Sequence, residues 1–208
     1  MTDEPLEGGL VCLPMTRKPN PQGKGVSPLL AVIEQQGGAL RVSEPKDARR
    51  VAIELFTAVF ILESEFDFQP TIGRPHWLYR KDGRFRLRLT PPDSWHPAIA
   101  GDYIGECWLH EDMSWSLQLD ARAEADAALQ QTLRDGRRRF ELELGRAETL
   151  RSALPHHRDD LGFYRRVYAY ALSRSLELSM QHTGIGSLPY DEARALPGIG
   201  NDSACQRR

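Results

Sequence analysis

Apolar and polar positions alternate most clearly between residues 76 and 89, where His76-Trp77-Leu78-Tyr79-Arg80 and Phe85-Arg86-Leu87-Arg88-Leu89 flank Lys81-Asp82-Gly83-Arg84. Successive side chains of a strand point to opposite faces, and Asp-Gly favours the tight turn of a two-stranded hairpin, so this stretch predicts a ribbon. Phe85, Leu87 and Leu89 then share one face and Arg84, Arg86 and Arg88 the other. Thr90-Pro91-Pro92-Asp93 turns the chain, since prolines remove ladder donors. A third strand is predicted from Tyr103 to Leu109 and a fourth from Ser114 to Leu119, separated by a Glu111-Asp112 turn. Period two places Tyr103, Gly105, Cys107 and Leu109 on one face and Glu106, Trp108 and His110 on the other.

Elsewhere the period is helical. Ser27 and Pro28 start a short helix over 28–36 that carries Leu29, Leu30, Val32 and Ile33 and stops at Gly37-Gly38. A longer helix over 45–66, capped by Ser43, presents Ala48, Ala52, Leu55, Val59 and Leu62 as a stripe widened by Val51, Phe56, Phe60 and Phe66, and is expected to pack on the sheet. Residues 120–154 carry a narrow stripe (Leu129, Leu133, Phe140, Leu144, Leu150), and Pro155-His156-His157 ends it. Asp159 or Asp160 is expected to cap a further helix from Leu161 to Gln181, packed through Tyr164, Val167, Tyr168, Ala171, Leu172, Leu176 and Leu178. The expected architecture is α+β: a small antiparallel sheet of three to five strands over 74–119, packed by helices and followed by a helical hairpin over 120–182. Residues 25–182 form one domain, between an N-terminal arm (1–24) and a C-terminal tail (183–208), both rich in glycine and proline and expected to be flexible.

Composition narrows the function classes. The 208 residues hold 29 acids and 27 bases, a net charge of -2, so attraction to nucleic acid or an anionic surface would have to be local. No apolar run approaches the ~20 residues that span a bilayer, and Met1-Thr2-Asp3-Glu4 does not open a leader peptide. Three cysteines, Cys12, Cys107 and Cys205, are odd in number and far apart. They suggest neither a disulfide framework nor a zinc site, and a cytoplasmic location is expected.

Candidate chemistry is sparse. Gly23-Lys24-Gly25 lacks the full phosphate-loop pattern, and no Gly-x-Ser-x-Gly elbow or His-Glu-x-x-His helix occurs, so neither cofactor nor metal is expected. Glu106, His110 and Asp112 are close enough in sequence to suggest an acid/base or metal-assisted hydrolytic rim, with a carboxylate as general base and His110 as its partner. The plainer reading leaves Glu106 facing solvent. Cys107, mid-strand among aromatic residues, reads as a small core residue. Arg134, Arg137, Arg138, Arg139 and Arg146, with the hairpin arginines, could track phosphates if they converged, but Asp135, Glu141 and Glu143 interrupt them.

Trp77, Tyr79, Trp95, Trp108 and Trp115 form a larger aromatic set than a small hairpin core requires, and such side chains are enriched where proteins meet partners. The leading expectation is a non-catalytic module that holds an unidentified protein or peptide partner through Trp77, Tyr79, Arg84, Arg86, Arg88 and Trp108. A hydrolase at Glu106, His110 and Asp112 and nucleic-acid binding through the arginines are the alternatives.

Asn20-Pro21-Gln22-Gly23, Phe66-Asp67-Phe68-Gln69-Pro70, Trp77-Leu78-Tyr79-Arg80-Lys81-Asp82, Leu89-Thr90-Pro91-Pro92-Asp93-Ser94-Trp95, Gly105 and Asp112-Met113-Ser114-Trp115 occur in an order and spacing that resembles an uncharacterised family, domain of unknown function 2452. The resemblance covers about residues 18–120, departs slightly at Thr90-Pro91-Pro92, and implies a fold without implying an activity.

Overall fold

The computed structural model describes residues 44–94 and 96–197. The expected helix over 28–36, both outer cysteines and Trp95 lie outside the described residues. The first described element, α1 (Ala48–Glu63), is capped by Asp47, whose side chain accepts the Arg50 N–H at 2.8 Å; the expected cap, Ser43, lies outside the described residues. Asp47 supplies the acceptor that the first turn of a helix needs. Ala48, Val51, Ala52, Leu55, Ala58, Ile61 and Leu62 are buried along it, as a 3.6-residue period dictates.

Four strands follow: β1 (Pro75–Lys81), β2 (Arg84–Arg88), β3 (Asp102–Leu109) and β4 (Trp115–Leu119), with a four-residue helix α2 (Pro97–Ala100) between β2 and β3. They form one antiparallel sheet in the order β2-β1-β3-β4. The class is α+β, as the alternation predicted. The β1–β2 turn has positive φ at both Asp82 (52°) and Gly83 (74°), the conformation that suits a two-residue hairpin. The β3–β4 turn closes with the Met113 N–H on the His110 carbonyl and the His110 N–H on that of Ser114, with Met113 itself left-handed.

One irregularity decides which residues share a face. Register slips between Leu78 and Tyr79, so that Leu78 faces Gly105 but Tyr79 faces Tyr103. Ile104 is the extra residue and turns into the core at 2 % exposure. Tyr103 is thereby moved off the packed face, where strict alternation had put it, and its ring meets Tyr79 at 5.6 Å. Leu89 also departs from expectation. The strand ends at Arg88, and Leu89 is exposed rather than packed beside Leu87.

After β4 the expected single helix is divided. Asp126 ends α3 (Ala121–Ala125) and caps α4 (Ala127–Arg146) by accepting the Ala128 and Leu129 N–H groups. The last long described helix, α5 (Phe163–Thr183), starts at Gly162, which has no side chain to cap it; the expected caps Asp159 and Asp160 lie upstream, and Asp160 accepts from Arg158. The long-range contacts of α4 and α5 run mainly to α1. Ser173, Ser175 and Ser179 are buried on α5, and Ser173 and Ser179 donate to the carbonyls of Ala169 and Glu44. Residues from Thr183 were expected to be a loose tail, yet as far as Pro197 they are folded. Leu150 and Arg151 donate N–H groups to the Leu188 and Gly186 carbonyls, and α6 (Tyr190–Ala195) buries Tyr190 and Ala193.

The core lies between α1 and the face of the sheet carrying Leu78, Leu87, Cys107, Leu109 and Trp115. His76 belongs to it, fully buried, its ring stacked on Phe68 (5.9 Å, 4°) and edge-on to Trp115. Its Nε2 accepts the Thr71 N–H at 3.2 Å, so the neutral ring carries its proton on Nδ1, which makes no hydrogen bond of good geometry although backbone groups of Cys107 and Arg74 lie near. Burial holds the His76 pKa below its ordinary value and outweighs the opposing pull of those backbone groups. The folded chain therefore binds fewer protons than the unfolded one as pH falls past the free-histidine value of about 6.5. Stability supplied by neutral His76 is present above that value and is lost on acidification. Thermal melts between pH 7 and pH 5 should show a steeper decline for the wild type than for His76→Gln; equal slopes would exclude this account.

Candidate binding face

The face of the sheet opposite α1 is built from the other half of the alternation. Across it Arg88 pairs with Trp77, Trp77 with Glu106 and Glu106 with Gln118, while Arg86 pairs with Tyr79 and Tyr79 with Tyr103. Trp108 lies next to this row, opposite Ser116. Among the described residues the long helices pack on the other side of the sheet. The described residues of the connection between β2 and β3 meet one end of the open face, where the Tyr79 hydroxyl donates to the Thr90 carbonyl and Lys81 Nζ to that of Ile99. Trp77, Tyr103, Glu106 and Trp108 are half-buried and Arg88 is exposed.

The described tryptophans thus divide between two jobs. Trp115 is in the core, and Trp77 and Trp108 are on the open face. Tyr79, one of the expected contact residues, is almost fully buried, so it supports the surface from beneath. Burial raises its pKa, with Asp93 adding to the rise and Arg88 opposing it. The Tyr103 hydroxyl is pushed up to about 12, first by burial and then by Glu106. Both phenols are neutral hydrogen-bonding groups at physiological pH.

The arginines are less available than the sequence suggested. Glu65, on the segment after α1, accepts Arg84 Nη1 and Arg86 Nε, each at 3.0 Å. Those bonds, the Arg84 one first, hold the Glu65 carboxyl below its usual pKa. With Glu106 in the middle of the face, two carboxylates stand against the three hairpin arginines.

Glu106, His110 and Asp112 are not brought together. Four residues of extended chain put Glu106 and His110 roughly 13 Å apart. His110 Nε2 bonds Ser116 Oγ at 2.9 Å, and Asp112 is turned toward α1, where it accepts Lys46 Nζ at 2.7 Å and Ser114 Oγ at 2.6 Å. Among the described residues no three histidine, cysteine, aspartate or glutamate side chains are grouped to hold a metal ion. Cys107 is fully buried, and burial, reinforced by Glu106, raises its thiol pKa and disfavours the nucleophilic thiolate.

Of the helical arginines, Arg139 shares a groove with a hairpin arginine. Arg137 pairs with Glu141, and Arg139 shares with Arg84 the rim of an open groove of about 870 Å³, beside Glu63, Glu65 and Glu143. Phe56, Phe60, Phe85 and Phe140 line its floor, with Phe60 and Phe85 edge to face at 4.9 Å. The sequence pattern placed Phe56 and Phe60 on the widened stripe of α1 that was expected to pack on the sheet. Their placement at i and i+4 on the outer margin of the α1 stripe is the signal that could have separated them from it. Among the described residues no helix is long and apolar enough to cross a membrane. Comparison with family models, curated proteins and solved structures found no match to this chain.

Proposed function

We propose that this chain is a non-catalytic binding module that holds a protein or peptide segment against the open face of its sheet, with Trp77 and Trp108 as anchors and Glu106 and Arg88 as polar guides. The observation that carries this reading is the pair of half-buried tryptophans on a face that, among the described residues, the long helices leave uncovered. Large amphipathic rings ringed by polar groups are where binding energy concentrates. A peptide presents mixed charge, which suits a face where Arg84 and Arg86 are both bound to Glu65 and where Arg88 and Glu106 offer one charge of each sign. A phosphate backbone needs uncompensated cations, and so fits less well. We extend the proposal to a cytoplasmic location, where the free Cys107 thiol would stay reduced.

Peptides selected from a displayed random library against the intact chain test the reading. For such peptides Trp108→Ala and Trp77→Ala should each weaken binding about 30-fold, the ~2 kcal/mol expected of a hot spot. Arg88→Ala should weaken it severalfold. Binding that withstands both tryptophan substitutions would place the contact elsewhere. Steeply salt-dependent binding of an oligothymidylate would favour nucleic acid instead.

A further inference from the structure

The two edges of the sheet are treated differently. On the β2 edge, Glu65 lies alongside as an isolated bridge, its N–H on the Phe85 carbonyl at 2.8 Å and its carbonyl receiving the Leu87 N–H at 3.1 Å. Three arginines add charge to that strand. Such devices keep an edge from recruiting another strand. The opposite edge, β4, reads Trp-Ser-Leu-Gln-Leu, with neither charge nor proline.

Its outward hydrogen-bonding groups follow from the ladder. Asp120 donates its N–H to the Ile104 carbonyl and His110 to that of Ser114, and these contacts bracket the register in which Ser116 faces Trp108 and Gln118 faces Glu106. In an antiparallel pair the hydrogen-bonded positions alternate, so Ser116 and Gln118 turn their backbone toward β3. The backbone N–H and C=O groups of Trp115, Leu117 and Leu119 therefore point away from the sheet. Among the described residues none of them meets a backbone partner on that side. Leu117 and Leu119 are also only half-buried, so the described helices do not close over this margin.

We propose that the occupant of this edge is a second copy of the same chain, paired β4 to β4 about a two-fold axis at Leu117. The choice rests on self-complementarity. Antiparallel pairing centred on Leu117 sets Leu117 against its equivalent and Trp115 against Leu119, which are the outward-pointing positions, and forms about six new backbone hydrogen bonds. Ser116 then lies opposite Gln118 of the other copy on the open face, and no like charges meet. The two sheets join into one of eight strands with both tryptophan faces on the same side. The pairing does not depend on what the open face binds.

Sedimentation of the full chain across micromolar to millimolar concentrations should show a reversible monomer–dimer equilibrium. Amide exchange at Leu117 should slow as the dimer forms. Ser116→Lys with Gln118→Lys brings like charges together across the axis and should raise the dissociation constant about tenfold or more. Ser116→Glu with Gln118→Lys makes the cross-axis pairs opposite in sign, sets the new lysine against Glu106 of its own chain, and should restore the dimer, which also controls for misfolding. Three results would overturn the proposal: a monomer at every concentration, a dimer indifferent to charge at both positions, or a Leu117 amide equally protected in dilute monomer.

Discussion

Replacing Gly105 by alanine is expected to lower stability by about 3 kcal/mol or more, the upper end of what overpacking costs, because the added methyl would collide with backbone that cannot move aside. A Cβ at this position would stand 2.1 Å from the Gln118 carbonyl oxygen and 2.9 Å from the Leu119 Cα, both in β4. Gly105 faces Leu119 on one side and Leu78 on the other, at the point where the β1–β3 register slips. Relief would require β3 to separate from β4 or the bulge at Ile104 to shift, and either change disturbs Ile104 and Cys107 in the core. Gly83 supplies the control. Its φ is +74° but nothing lies within 4 Å of a Cβ there, so Gly83→Ala should cost only the left-handed backbone penalty of about 1 kcal/mol. In urea or thermal unfolding the two variants should differ clearly, with Gly105→Ala melting about 6–12 °C below wild type at this chain length. If the two cost the same, the close approach of β3 and β4 is not as described.

The same glycine shows where sequence reasoning succeeds and where it stops. The strands were legible because alternation, Asp82-Gly83 and Pro91-Pro92 all act on neighbouring residues, and local chemistry is what a sequence displays. The face assignment of Tyr103 was not legible. A bulge inverts the alternation beyond it, and whether one forms depends on the partner strand; Gly105 marks the place without stating the direction. Helix starts show a similar limit. Several residues near the start of α1 have capping side chains, and the sequence does not say that Asp47 is the one that accepts the Arg50 N–H. The segment after Thr183 was misread because a six-residue helix is too short to show a period, and its docking relies on backbone bonds from Leu150 and Arg151. For the open face, alternation put Arg84, Arg86 and Arg88 together in one strand and Trp108 with Glu106 in another, but nothing local revealed that Glu65 takes up Arg84 and Arg86. The Glu106, His110 and Asp112 rim dissolved for a comparable reason: Asp112 is claimed by a lysine 66 residues away.

That lysine gives the second large effect. Lys46 is 2 % exposed, and its ammonium donates to both Glu54 on α1 and Asp112 in the β3–β4 turn, while Arg50 holds the other oxygen of Glu54 at 3.0 Å. One cation thus ties the start of α1 to the far end of the sheet. Lys46→Met should destabilise the chain by about 3 kcal/mol, the low end for breaking a buried ion pair, because Glu54 and Asp112 keep some contact with water. The loss comes from two carboxylates left facing each other rather than from missing packing. Lys46→Met combined with Glu54→Gln and Asp112→Asn should therefore recover most of it. The dependence on pH follows from the same charges. Burial is the largest single influence on Asp112 and raises its pKa, but the bonds from Lys46 and Ser114 together outweigh it and hold the carboxyl below its ordinary value. A folded pKa below the unfolded one gives stability that is present above about pH 4 and is lost as pH falls through the folded value. In Lys46→Met the lowering influence of the cation is gone, and acid relieves the repulsion by protonating the carboxylates. The gap in unfolding free energy between wild type and Lys46→Met should be widest near neutrality and should narrow toward pH 4. A gap that stays constant across that range would mean that the lysine acts through its aliphatic stem alone.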